Sequence, residues 1–281
     1  MGSLMLPSVT WKPGQRKAKR ALEEPHFGVP AHLGQPLWNW VEGCFGESVY
    51  GLDSDRPATL ALDLRRHMPA GSTYEQVAVL RDWCNKDRDF MLDLVEAMLE
   101  RYGWDGGRAG GLNNLLTEAN SAYTVRAAWD GLEERVSPGV KELVSEAVNA
   151  PAGSAGDHLA HAWNAAYGRS PDPVKSYSEA IKAVEAALAG RVSPQNGKQT
   201  LGTMIRDITS KPSKWKFVIA DGSVSGVETV LHMMRTLWEG QTSRHGGPDQ
   251  TRAETAAEAR AAVHLAAALV QFGVSGTFDL V

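Results

Sequence analysis

Residues 238–247 read Trp238-Glu239-Gly240-Gln241-Thr242-Ser243-Arg244-His245-Gly246-Gly247 and separate two strongly helical segments, Ser225 to Glu239 and Gln250 to Phe272. In both segments the apolar residues recur at helical spacing. A loop between two packed helices can be short and bland. This one instead carries an acid, amide and hydroxyl groups, an adjacent arginine and histidine, and three glycines. The stretch therefore predicts a helix–loop–helix unit whose loop has a function.

The helix before this loop has one polar face. Steps of four, three and four residues place four polar side chains on one side, namely Glu228, His232, Arg235 and Glu239. The other side is apolar and carries Val227, Val230, Leu231, Met234, Leu237 and Trp238. We expect Arg235 and Glu239 to share a surface with the arginine and histidine of the loop. The plainer alternative is a solvated face with an Arg235–Glu239 ion pair worth about 0.3–0.5 kcal/mol.

This combination of residue types suits a phosphodiester. Arginine presents a planar fork of donors that matches phosphate, and histidine exchanges a proton near neutral pH. The candidate catalytic residues are His245, Arg244, Arg235 and Glu239. The candidate substrate-binding residues are Gln241, Thr242, Ser243, Gly246 and Lys198. Lys198 precedes a predicted helix start, where anions bind, although capping by Thr200 is the plainer role there and the spacing of a P-loop is absent.

Composition narrows the class of protein. The 281 residues are 43% hydrophobic and 22% charged, with a net charge of −4. That charge argues against a bulk nucleic-acid coat protein but allows a local basic site. Cys44 and Cys84 lack a CxxC spacing, so we expect buried or idle thiols in a reducing compartment. The sequence has no apolar run long enough to span a membrane and no signal peptide, and we expect a soluble, cytoplasmic protein.

The organisation along the chain predicts a mainly α, two-domain protein. Residues 1–35 are rich in proline and glycine and predict an extended N-terminal arm. Residues 36–150 predict a mainly helical domain, with a small β-hairpin near residues 122–136 around the turn signal Asp130-Gly131. Residues 151–281 predict a C-terminal domain that is almost purely helical.

Helix boundaries follow from the apolar periodicity and from proline and glycine. Besides the two helices that flank the loop, we expect helices over Leu37 to Phe45, Pro57 to Met68, Tyr74 to Tyr102, Leu112 to Ala119, Gly139 to Asn149, Asp157 to Tyr167, Pro173 to Leu188 and Thr200 to Ile208. The four glycines in the stretch from Trp104 to Gly111 are expected to interrupt the helical pattern, and Pro248 is expected to begin the last helix.

A possible metal motif lies in the C-terminal half. His158 and His161 are three residues apart on a predicted helix, and two such histidines can share a metal ion. The sequence spacing indicates no third ligand. We therefore expect no metal and no cofactor.

Several segments of the C-terminal half resemble a known family. They are Ala162-Trp163-Asn164, the run Ser178 to Glu185, Thr200-Leu201-Gly202, Arg244-His245-Gly246 and the alanine-rich last helix. Together they resemble the abortive-infection C-terminal (Abi-C-like) domain of the HEPN superfamily. Near the N-terminus, Leu37-Trp38-Asn39 is similar to the leader domains of AbiJ-like phage-defence proteins.

This resemblance implies a HEPN-like helical bundle that forms a homodimer and cuts RNA without a metal. The RNA would be single-stranded RNA or tRNA. The family motif consists of an arginine, a polar residue, a few further residues and His-Gly. His245-Gly246 matches its second part. Arg235 lies ten positions before His245, further than the usual gap, and position 238 is tryptophan, so Arg244 is the substitute within reach.

Three functions are compatible with these features. The first is a phage-defence, toxin-like RNase in which His245 acts as general acid or base and Arg244 or Arg235 stabilises charge on the phosphate. In that scheme Glu239 orients His245 or Arg235. The second is a non-catalytic module that binds RNA or a nucleotide, or that mediates dimerisation and partner sensing. The third is a structural or regulatory helical protein.

Overall fold

The computed structural model describes residues 24–45, 55–104, 106–149, 153–195, 197, 199–219, 224–244 and 251–281. Within these residues the chain is mainly helical, with eleven α-helices and two small two-stranded antiparallel sheets. This confirms the mainly α fold class and the predicted hairpin. The chain divides into two compact units, with the boundary between Arg135 and Val136.

The first unit contains five helices. They are α1 (Ala31–Phe45), α2 (Arg56–Asp63), α3 (Thr73–Lys86), α4 (Arg88–Tyr102) and α5 (Gly106–Glu118). Their apolar faces form one core, in which Trp38, Leu94 and Leu112 are almost fully buried. An extended arm was expected over residues 1–35. Residues 1–23 of it lie outside the described residues. Residues 31–35 belong to α1, and Pro36 lies inside that helix.

Asp87 divides the long helix expected over Tyr74 to Tyr102. Its backbone is extended, and its carboxylate accepts hydrogen bonds from the amides of Asp89 (3.1 Å) and Phe90 (3.2 Å). These bonds satisfy amide groups that have no partner at the start of a helix. A new helix, α4, therefore begins at Arg88, and the prediction of one continuous helix was wrong.

The glycines between Trp104 and Gly111 do not prevent a helix, contrary to expectation. Helix α5 begins at Gly106, and Ala109 and Leu112 on it are fully buried. Arg108 ties the same turn to α1, since its backbone oxygen accepts from Trp40 Nε1 at 3.0 Å. Tertiary packing here outweighs the low helix propensity of glycine.

The hairpin of the first unit lies where the sequence predicted it. Strands β1 (Tyr123–Val125) and β2 (Leu132–Glu134) pair antiparallel, with Val125 opposite Leu132. Gly131 at the turn has a φ of 158°, close to extended. Glu96 of α4 accepts a hydrogen bond from the Leu132 amide, which fixes the hairpin on the helices.

The second unit contains six helices. They are α6 (Pro138–Val148), α7 (Ala155–Tyr167), α8 (Pro173–Val192), α9 (Leu201–Ser210), α10 (Val224–Glu239) and α11 (Ala256–Ser275). Helices α7, α8 and α11 pack against one another, and α9 packs against α10. The core is continuous and includes Val184, Met234 and Val263. Helix α6 belongs to this core through Val144 and Ala147, so the unit begins at Val136 rather than at the expected residue 151.

A second sheet in this unit corrects the expectation of an almost purely helical C-terminal half. Strand β3 (Trp215–Phe217) follows a short 3-10 helix (Pro212–Lys214) and pairs antiparallel with β4 (Phe278–Leu280). The rings of Trp215 and Phe278 stack with their centroids 5.3 Å apart. Each strand has three residues and its partner lies far away in sequence, so no local pattern reveals the pair.

Helix α11 begins later than expected. Pro248 lies outside the described residues, and the helix starts at Ala256 behind a capping box. Thr255 Oγ1 accepts from the Glu258 amide at 3.3 Å, and the Glu258 carboxylate accepts from the Thr255 amide at 2.8 Å. This reciprocal pair satisfies two amides at the helix start.

Both cysteines are buried and free, as expected. Burial raises the pKa of Cys84 to about 12, so the thiol stays protonated. Among the described residues, no helix is both long and apolar enough to cross a membrane.

Candidate functional site

Helix α10 has the two faces that the sequence predicted. Its apolar residues Val227, Val230, Leu231, Met234 and Leu237 are at most 2% exposed. Glu228, His232 and Glu239 on the other side are exposed, and Arg235 is half-buried. The helix therefore presents a polar edge that ends at the loop after Glu239.

Arg235 lies at a cavity between α9 and α10. Its Nη2 donates to Thr209 Oγ1 at 2.9 Å. Within the part of the chain that the structure describes, the partner of Arg235 is this hydroxyl and not Glu239, so the ion pair of the plainer alternative does not form. The cavity has a volume of about 440 Å³ and is lined by Gly202, Ile205, Arg206, Thr209, Ser210, Arg235, Trp238 and Glu239.

Arg244 reaches the same region by stacking on Trp238. Its guanidinium carbon lies 3.3 Å from the centre of the Trp238 ring. In such a contact the face of the indole ring attracts the cation electrostatically. Gly202 lies so close to the indole that a Cβ atom there would come within 2.7 Å of two ring carbons. Trp238 thus links the cavity, which contains Arg235, to the loop arginine.

The surroundings of Arg244 are partly apolar and partly acidic. Burial lowers its pKa below the ordinary value, and the nearby Glu185 and Tyr177 act in the opposite direction. Glu185 Oε1 accepts from the Leu201 amide at the start of α9 at 2.6 Å. Burial raises the pKa of Glu185, against the hydrogen bond from Leu201 and the charge of Arg244. Arg244 thus lies against an indole face, and the charge of Glu185 on α8 acts on it.

The buried carboxylate of Glu254 holds the loop that follows α10 in place. Glu254 is 4% exposed, and its Oε1 accepts from the Ser243 amide at 2.8 Å. Thr242 Oγ1 lies 3.0 Å from the backbone oxygen of Arg252 and 3.5 Å from Glu254 Oε1. Gly240 packs under Tyr177, because a Cβ atom there would lie 2.3 Å from the phenol oxygen. Residues 240–244 are therefore held at both ends.

The structure brings some predicted site residues together. Arg235 and Glu239 line the cavity, and Arg244 contacts the Trp238 that also lines it. Thr242 and Ser243 take part in the anchor on Glu254, while Gln241 lies half-buried between Gly240 and that anchor. The remaining candidates, His245, Gly246 and Lys198, lie outside the described residues.

Sequence reasoning missed four contributors to this site. The sequence pattern indicates Trp238 only as an apolar residue of its helix. It does not indicate Glu185, Tyr177 or Glu254 as site residues. One signal was available, since Glu185 lies eight residues after Tyr177 and four after Ile181, beside the apolar stripe of α8. An acid in that position is costly unless it has a partner.

A separate group of ligating side chains lies on α7 and α8. His158 and His161 of α7 meet Glu179 of α8, and one ligand atom from each lies within 4.8 Å of the others. A third side chain that could ligate a metal ion, which sequence spacing did not indicate, is therefore supplied by another helix.

Comparisons of the chain with protein-family models, with curated proteins and with solved structures found no match.

Proposed function

We propose that the second unit is a HEPN-like helical domain that acts as a metal-independent endoribonuclease in phage defence by abortive infection. The observation that carries the proposal is that Arg244 stacks on Trp238, and that Trp238 lines the same cavity as Arg235. His245 is the residue that follows Arg244. Guanidinium groups can stabilise charge on a phosphodiester, and a histidine can transfer the protons that its cleavage needs.

In this mechanism the nucleophile belongs to the RNA. The 2′-hydroxyl attacks the adjacent phosphorus and loses its proton to a base, the bond from phosphorus to the 5′-oxygen breaks, and that oxygen takes a proton. His245 transfers protons, while Arg244 and Arg235 stabilise the charge on the phosphate oxygens. Glu239 at the cavity edge orients one of these groups. The products are a 2′,3′-cyclic phosphate and a 5′-hydroxyl.

The cavity suits a segment of single-stranded RNA or a tRNA loop. Arg206 adds a second cation to its lining beside Arg235, and Thr209 and Ser210 add hydroxyl groups. Gln241, Gly246 and Lys198 are proposed to contact the substrate from the loop and from the segment before α9. A homodimer would bring two such sites together.

The test is RNA cleavage in EDTA by the wild type and by the Arg244→Ala/His245→Ala double variant. Loss of one group that stabilises transition-state charge lowers the rate by about 10²–10³-fold, so we expect at least this loss, with a 2′,3′-cyclic phosphate on the wild-type product. The matched control is Arg65→Ala/His67→Ala, which removes the same two residue types from exposed positions of the first unit. Equal cleavage by wild type and site variant would refute the mechanism.

The alternative is a non-catalytic domain that binds RNA or a nucleotide. The firm anchoring of the loop favours it, because Ser243 is tied to Glu254 and Arg244 is stacked on Trp238. A folded wild type that retards labelled RNA on a gel without shortening it would support this alternative. Arg235→Ala and Arg244→Ala would then each weaken the retardation.

A further inference from the structure

Helices α7 and α8 place two imidazoles and one carboxylate around a single point. His158 and His161 lie three residues apart on α7 and so face the same side. Glu179 of α8 faces them, with its Oε2 at 2.7 Å from His158 Nδ1 and 3.9 Å from His161 Nδ1. One oxygen is thus within reach of two ring nitrogens.

The helix pair holds this arrangement firmly. Leu159, Ala162 and Ala180 of the two helices are fully buried in the core. Ser176 Oγ of α8 donates to the backbone oxygen of Ala162 on α7 at 2.9 Å, inside the contact. Ligands carried by packed helices keep their separation, as a metal site requires.

The two carboxylate oxygens of Glu179 have different surroundings. Lys182 Nζ donates to Glu179 Oε1 at 2.8 Å, and Oε2 faces the histidines.

The site is open to water on one side. The Glu179 side chain is 13% exposed, that of His158 30% and that of His161 63%. Water can thus complete a coordination shell that three protein ligands begin. Two imidazoles and one carboxylate are ligands that Zn²⁺ binds well. Mg²⁺ and Ca²⁺ instead bind sites made of oxygen ligands.

We propose that His158, His161 and Glu179 form a Zn²⁺ site that fastens α7 to α8. This site is separate from the proposed RNase chemistry, which uses no metal. Metal binding is measured without RNA, and cleavage is measured in EDTA, so failure of one proposal is distinguishable from failure of the other.

The experiment is a calorimetric titration of the EDTA-treated, dialysed full chain with Zn²⁺. We expect one equivalent to bind in the wild type and the thermal midpoint to rise with Zn²⁺, because the ion binds only the folded site. His158→Ala/His161→Ala should abolish the binding, and Glu179→Gln should weaken it at least tenfold. His232→Ala, which removes an exposed histidine of α10, is the control and should bind like the wild type.

His161→Ala keeps the test decisive if the double variant unfolds. Its side chain is largely exposed, so its loss should leave the EDTA-treated protein as stable as the wild type while still weakening Zn²⁺ binding at least tenfold. Co²⁺ should give the intense visible absorption of a tetrahedral site in the wild type and not in His161→Ala. A wild type without saturable binding, or a His161→Ala variant that binds like the wild type, would overturn the proposal.

Discussion

Gly202 lies against the ring of Trp238 so closely that no side chain fits between them. A Cβ atom at this position would lie 2.7 Å from the ring carbons Cε2 and Cζ2 of Trp238. Overpacking of this kind costs about 1–3 kcal/mol, because the ring or the helix must move. Gly202→Ala is therefore expected to lower the free energy of unfolding by that amount and to disturb the stacking of Arg244.

Gly190 supplies the matched control for this prediction. It lies in α8, where a Cβ atom would have no neighbour within 4 Å. Alanine forms helices better than glycine by up to about 1 kcal/mol, so Gly190→Ala should be neutral or stabilising. Denaturant unfolding of the three proteins measures both effects. If both variants shift the midpoint equally, the close packing of Gly202 on Trp238 has no energetic consequence.

At the scale of one element, the start of α11 depends on Glu258. Its carboxylate accepts hydrogen bonds from Arg252, Thr255 N and Thr255 Oγ1. These bonds lower the pKa of Glu258 from 4.5 to about 2, and the bond from Arg252 has the largest effect. A carboxyl whose pKa is lower in the folded protein than in the unfolded chain stabilises the fold when ionised. That contribution is complete above about pH 4.5 and disappears as the pH falls towards about 2.

Glu258→Gln should accordingly lower the thermal midpoint near neutral pH and have progressively less effect as the pH approaches about 2. Thermal melts across this range, followed by circular dichroism, measure the difference from the wild type. Glu228→Gln, which changes an exposed glutamate of α10, is the control. A difference that stays constant with pH would contradict the role of the ionised carboxylate.

The elements also show what sequence can predict. The two faces of α10 followed from periodicity alone, because burial of Val227, Met234 and Leu237 against polar neighbours is a local pattern. The capping box at Thr255 is also a local sequence pattern, but the start of the last helix was predicted from Pro248 instead. The β3–β4 pair and the contact of Arg244 with Trp238 depend on tertiary packing. Sequence spacing therefore indicated Arg235, Glu239 and Arg244 as candidate site residues but not the side chains that they contact.

At the scale of the whole chain, each unit has its own hydrophobic core. The first core runs from Val29 to Leu132, and the second from Val144 to Phe278, with Val136 and Val140 packed on it. No residue of these two clusters is shared between them. A compact unit with its own core can fold by itself.

We therefore expect residues 136–281 to fold as an isolated fragment with a cooperative thermal transition. A fragment of residues 151–281, which follows the boundary expected from sequence, should be markedly less stable or unfolded. It lacks α6, whose Val144 and Ala147 are buried in the core, and Gly156 of α7 packs so tightly on the last turn of α6 that a Cβ atom would lie 2.1 Å from the Val148 oxygen. Circular dichroism melts of both fragments decide the matter. Equal midpoints would mean that α6 adds nothing to the second core, and a non-cooperative 136–281 fragment would mean that this core depends on the first unit.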